Sequence, residues 1–276
     1  MAANVYAHPD KLVETQWVAE HIGDPEVRIV EVDQNPTTGY DEGHITGAAR
    51  LFWKEDLWDP FKRDYASSER FAEVVGRAGI SHETTVILYG DANRFASYAF
   101  WVFSYYGHPD VRLMNGGRTR WVKEGRELAK EIPQSMPKPY PIPRPDPGIR
   151  ALRDDVLAGL GNPDLILVDA RSTEEYRGER VGAPGGQNHG AERAGRIPGA
   201  IHVPWKSMVH DDETFKSADE LMGLYTVKNV TPEKEIIVYC RLGHRASFAW
   251  FVLTYLLGYP RVRLYDGSWT EWGSIV

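Results

Sequence analysis

One cysteine occurs in 276 residues. A single thiol cannot close an internal disulfide, so nothing in the chain asks for an oxidising compartment. Long apolar runs are missing too. The longest, FAWFVLTYLLG at 248–258, falls short of the about 20 residues a bilayer-spanning helix needs and reads instead as a buried helix. The opening stretch, MAANVYAHPDKLVETQW, has neither the basic segment nor the apolar core of a secretion signal. By these absences the chain is expected in the cytoplasm and away from membranes. No block of Lys and Arg stands out, and a net charge of −7 with a pI near 5.7 opposes nucleic-acid binding, which needs a basic face. The nine histidines are scattered without ligand spacing, so no metal is expected.

What is present is one unit written twice. VRIVEVD (27–33) matches LILVDAR (165–171), and GHITGAARLFW (43–53) matches GRIPGAIHVPW (195–205). TTVILYGD (84–91) matches KEIIVYCR (234–241). SYAFWVFSYYGHPDVRLMNGG matches SFAWFVLTYLLGYPRVRLYDGS, and each is followed by a tryptophan, Trp121 and Trp272. Copies of this length are domains, not solenoid repeats. Between them EIPQSMPKPYPIPRPDPG (131–148) carries seven prolines, which forbids helix or central strand and predicts an extended tether. The expected organisation is a domain over 1–130, a linker over 131–148 and a domain over 149–276.

Within each copy short runs are apolar at nearly every position: VRIVEV, TTVILY and VRLM, then LILVDA, EIIVY and VRLY. Such runs predict strands buried on both faces of a parallel sheet. Helical stretches lie between them at 68–79, 94–107 and 244–258, the last two closing on Gly107 and Gly258. The fold class is therefore α/β: two tandem domains, each a small, mainly parallel sheet with helices on both faces.

In such sheets chemistry sits beyond the carboxyl ends of the strands. EIIVY runs into Cys240, and a helix starts near His244 or Arg245. The thiol thus lies between a strand end and a helix N-terminus, where unpaired amides and the positive end of the dipole gather. Arg241 and Arg245 add full charge. All three effects favour thiolate, the nucleophilic form, over thiol. The same cradle would receive an anion. Gly243 allows a tight turn, Leu242 would wall the site, and His244 would either donate a hydrogen bond or face solvent. The first copy has Gly90 and Asp91 where the second has Cys240 and Arg241, so thiol and cation change together. That copy is expected to be silent and to act as scaffold or wall. The Gly-rich stretch VGAPGGQNHGAERAG (181–195) is an insertion that either forms a surface loop or borders the mouth of the site.

The tandem repeat, LVDAR, GRIPGA, YCRLGHR and YDGSWTEW together resemble the rhodanese family, in its two-domain thiosulfate sulfurtransferase form, over nearly the whole chain. The resemblance implies two tandem rhodanese-like domains, the second catalytic. Cys240 would take the sulfane sulfur of thiosulfate as a persulfide, and cyanide or a thiol would remove it in ping-pong fashion. Arg241, Leu242, Gly243, His244 and Arg245 would bind substrate, the two arginines holding thiosulfate and sulfite by charge-assisted bonds. No cofactor is implied, and the fused copies suggest a monomer. One departure stands out. Where family members can carry a further arginine before a tyrosine, this chain has Glu175 before Tyr176, with Arg171, Arg177 and Arg180 nearby.

Three other readings differ in chemistry. 3-Mercaptopyruvate sulfurtransferases share the scaffold but typically place small uncharged residues after the cysteine. Cysteine phosphatases need Cys-x5-Arg around a phosphate, whereas this spacing is Cys-x4-Arg. A non-catalytic sulfur-carrier or binding module would accept sulfur and never turn over.

Overall fold

The computed structural model describes residues 5–182 and 191–275. Strands β1 (Leu12–Val13), β2 (Val27–Asp33) and β3 (Ala49–Phe52) are followed by an antiparallel ribbon of β4 (Trp58–Asp59) and β5 (Asp64–Tyr65). Then come β6 (Thr85–Tyr89) and β7 (Val111–Met114), and, after the proline-rich segment, β8 (Arg150–Ala151), β9 (Leu165–Asp169), β10 (Ile201–His202), β11 (Glu235–Tyr239) and β12 (Val262–Tyr265). Two five-stranded sheets result, ordered β1-β7-β6-β2-β3 and β10-β9-β11-β12-β8, with parallel pairing throughout. Read from opposite ends the two orders coincide, which is the sequence repeat expressed as topology. The fold is α/β, as the strand runs imply.

The central strands explain their own composition. Ile236, Ile237, Val238 and Tyr239 have no exposed surface, and neither do Val86, Ile87, Leu88 and Tyr89. Helices cover both faces of such strands, so no position along them is free to be polar. The helix Arg94–Tyr105 is buried along most of its length. Its counterpart begins at His244, but only to Phe251 is it an α-helix; a π-helical turn, Val252–Leu256, replaces the continuous helix expected over 244–258. The last carbonyls of a helix have no partner within it, and two are taken up here. Leu256 O and Tyr255 O accept from the amides of Ala7 and His8, each at 2.9 Å. Among the described residues no helix is long and apolar enough to cross a membrane.

The chain divides into two compact units, and their limits differ from those read off the repeat. One holds residues 10–146 and 211–215, the other residues 5–9, 147–182, 191–210 and 216–275. Residues 5–9 join the second unit through the bonds just described and through Tyr6, whose hydroxyl donates to Lys216 O at 2.9 Å. Residues 211–215 join the first, where Phe215 N donates to Asn115 Oδ1 at 3.0 Å. The proline-rich segment packs on the first unit up to residue 146. Lys138 N donates to Gly76 O at 2.9 Å and Asp146 N to Tyr105 O at 2.7 Å, while Arg28 reaches Ser135 Oγ.

Candidate active site

Cys240 is the first residue beyond β11 and is 1% exposed. Its carbonyl accepts from Trp269 N at 3.0 Å, and the carbonyl of Arg241 accepts from Thr270 N at 3.1 Å. Both carbonyls therefore face the start of the helix Ser268–Ile275. A planar trans peptide sets its N–H opposite its C=O, so the amides of Arg241 and Leu242 point the other way, into the loop. Cys240 N donates to Ser268 Oγ at 3.1 Å, and that hydroxyl donates to Tyr265 O at 2.8 Å. Ser268 holds φ +53°, a left-handed conformation that favours glycine, and these bonds offset its cost. Gly243, at φ +93°, turns the chain into the helix His244–Phe251. The thiol thus lies on a loop clamped from behind by one helix and continued in front by another.

The residues expected at the site stand close in sequence, and the fold separates their roles. Arg241, Gly243 and His244 are buried, and Leu242 is half-buried. Arg241 has its basicity lowered, first by burial, with Arg245 adding to the effect and the Glu175 and Cys240 charges opposing it. Arg245 does something the sequence does not show. Its Nη1 and Nη2 both donate to Glu175, to Oε2 at 2.5 Å and Oε1 at 2.9 Å. The Glu175 side chain is fully buried and that of Arg245 is 13% exposed. Burial alone would lower Arg245 and raise Glu175; the paired hydrogen bonds outweigh it, so the arginine is raised and the carboxylate lowered. Glu175 is fixed in turn by a capping box, with Ser172 N donating to its Oε2 at 3.2 Å and its own amide donating to Ser172 Oγ at 3.4 Å. The local pattern Ser-x-x-Glu shows the cap in sequence, but not that the carboxylate reaches a helix 70 residues on.

The other nearby arginines are engaged elsewhere. Arg171 is fully buried, paired with Asp169 at 2.6 Å, donating to Gly195 O at 2.7 Å and lying 4.7 Å from the Trp269 ring. Arg177 and Arg180 lie against Glu179 and Glu174. Of the tryptophans, Trp269 holds the thiol loop through its amide, and its indole donates to Arg193 O at 2.8 Å. Trp205 packs edge-on against Phe248, and Trp250 is a core residue whose indole donates to Val262 O. Of the Gly-rich stretch 181–195, read as either a surface loop or a border of the mouth, residues 183–190 lie outside the described residues.

The first copy builds the same corner from other residues. Gly90 O accepts from Arg118 N at 3.1 Å, as Cys240 O does from Trp269 N. Arg118 pairs with the fully buried Glu31 at 2.6 Å, and Glu31 also takes the Tyr89 hydroxyl. Burial, with Asp33 beside it, pushes Glu31 up to about 8; burial likewise raises Asp33 to about 6. Glu31 and Arg118 thus stand where the second copy has Asp169 and Trp269.

Comparisons with known proteins place this fold and its cysteine loop in a family. The "Rhodanese-like domain" family model matches residues 14–124 and again 152–275. The chain belongs to the rhodanese family, with two such domains. It is 54% identical over 275 residues to the "Sulfur carrier protein TtuD" of Thermus thermophilus, covering 98% of this chain and 96% of that one. It is 49% identical to the "Putative thiosulfate sulfurtransferase SseA" of Mycobacterium tuberculosis, covering 99% and 91%. Among solved structures it is similar to EanB bearing a cysteine persulfide with ergothioneine, at a TM-score of 0.86 and 28% identity, over 97% of this chain and 69% of that one.

Proposed function

We propose that this protein is a thiosulfate sulfurtransferase working through a persulfide on Cys240. The observation that carries the reading is the clamp on the loop. With the carbonyls of Cys240 and Arg241 held by Trp269 N and Thr270 N, the next amides turn inward, beside Arg241 and the start of the helix His244–Phe251. The Cys240 thiolate attacks the sulfane sulfur of thiosulfate. An S–S bond forms to Cys240, the S–S bond to the sulfite group breaks, and sulfite leaves with the electron pair. The persulfide anion then lies among inward amides and the helix dipole, which supply preorganised positive charge. Its outer sulfur stands about 2 Å beyond the buried Sγ, within reach of an acceptor. Cyanide or a thiolate attacks that sulfur and restores the Cys240 thiolate, so the cycle needs no external oxidant.

Arg241 carries the thiosulfate and sulfite charge in this scheme. Arg245 acts from its Glu175 pair, stiffening the first turn of the helix and lending the loop its field. Leu242, Gly243 and His244 complete the wall. The first domain is scaffold. The name of the 54% identical relative, a sulfur carrier protein, supports a second outcome, in which the same persulfide is carried rather than turned over on small molecules.

Intact mass tests both. Purified, reductant-stripped protein is weighed before and after thiosulfate, then after cyanide. A gain of one sulfur, removed by cyanide as thiocyanate in repeated cycles, supports the enzyme. A gain without repeated turnover moves the protein to the carrier reading. A gain only from 3-mercaptopyruvate moves it to the sister activity, and no gain from either donor sinks the persulfide scheme.

A further inference from the structure

We propose that Gly182 is a positioning residue for Arg241: the missing side chain at 182 is what allows the Arg241 guanidinium to lie where an anionic sulfur donor meets it. The inference rests on reading Cys240 and Arg241 as the sulfur-transfer site. A Cβ placed on Gly182 would lie 2.2 Å from Arg241 Nη1, 2.5 Å from Cζ and 2.9 Å from Nη2. All three atoms of the group are closer than a real Cβ tolerates, so the guanidinium packs directly on the glycine backbone. Conformation does not explain the glycine, because its φ lies outside the left-handed region and alanine can adopt the same backbone.

The arginine, not its backbone, would have to yield. The Arg241 carbonyl is held by Thr270 N at 3.1 Å, and its neighbour Cys240 is fixed through both its amide and its carbonyl. The residue is 7% exposed, so the guanidinium has little room to move without leaving the site. Both terminal nitrogens of Arg245 are committed to Glu175, so the second cation does not replace a displaced first one. Residue 182 therefore sets the anion affinity of the site through Arg241.

The test uses the full chain carrying Gly182→Ala and Gly182→Val, alone and combined with Arg241→Ala. In the thiosulfate–cyanide assay KM for thiosulfate should rise about tenfold in Gly182→Ala and further in Gly182→Val, as expected for loss of a charged hydrogen bond, with kcat within about threefold. In the Arg241→Ala background the same changes should add nothing. An unchanged KM, or an equal rise without Arg241, overturns the proposal. A second readout needs no turnover: the ratio of Cys240 alkylation rates by anionic iodoacetate and neutral iodoacetamide. It should fall in Gly182→Ala as it does in Arg241→Ala. A wild-type ratio in Gly182→Ala overturns the proposal. Failure of the wild type to turn over thiosulfate sinks the substrate reading, and the alkylation ratio then still decides the role of Gly182.

Discussion

Replacing Glu175 with alanine removes the partner of a nearly buried guanidinium. The Arg245 side chain is 13% exposed and both of its terminal nitrogens are spent on that one carboxylate. Breaking a buried pair by deleting one partner costs about 3–5 kcal/mol, because the remaining charge stays desolvated. The capping box at Ser172 is lost with it. With a urea dependence of about 2 kcal/mol per molar, the unfolding midpoint of the second unit should fall by about 2 M. The sole cysteine gives an assay confined to that unit: pulse labelling of Cys240 by a maleimide against urea concentration. Glu175→Gln keeps the shape and one acceptor and should lose less. Acid supplies the sign. The folded Glu175 titrates below its ordinary 4.5, so its contribution is fully present above that value and is lost as pH falls through the lower folded one. Wild type and Glu175→Ala should therefore converge in acid. A midpoint for Glu175→Ala within about 0.2 M of wild type at pH 7, or a gap that widens in acid, would refute the buried-pair reasoning.

Further outcomes follow from the same geometry. Cys240→Ser, a near-isosteric change at a buried position, should abolish both the sulfur mass gain and thiocyanate formation while shifting thermal stability little; activity at the wild-type rate would remove Cys240 as nucleophile. Arg241→Ala should raise KM for thiosulfate about 10- to 100-fold, the range for a lost charged hydrogen bond, and raise it more than KM for 3-mercaptopyruvate; equal rises would undercut its role. In the first unit Glu31 and Asp33 have folded values raised to about 8 and about 6. Raised acids stabilise fully only below their unfolded values, so this unit should weaken as pH climbs towards about 8, and Glu31→Gln should flatten the slope seen in thermal melts. An unchanged slope would place the titration elsewhere.

Much of the fold is legible because the central strands are buried on both faces. Residues such as Ile236 to Tyr239 admit no polar alternation, and the repeat then fixes the second sheet from the first. The two-residue strands β1, β8 and β10 leave no such pattern: they are edge strands whose existence depends on the neighbour already being in place. The π-helical turn is equally silent, since Val252–Leu256 reads as ordinary helix until the N-terminal segment is seen bonding to it. At the site the Cys240 loop is local and was readable as strand, turn and helix. The charge balance was not. Arg245 looks like a substrate ligand in sequence, and Glu175 looks like a departure from a pattern; only folding brings them together. The clamp by Ser268 and Trp269 is also a long-range contact, announced in sequence only by the matching positions of Gly117 and Arg118 in the first copy.

Gly90 stands where the second copy has its thiol, and a Cβ there would lie 2.3 Å from Val32 O. A cysteine codon at position 90 would drive its side chain into the backbone of the adjoining strand. The two halves therefore differ by more than the presence of a sulfur atom. One keeps room for a side chain at the strand end and the other presses its backbone against the neighbouring strand. A thiol could be moved into the first half only if that strand shifted with it, so a single substitution does not convert one half into its sister.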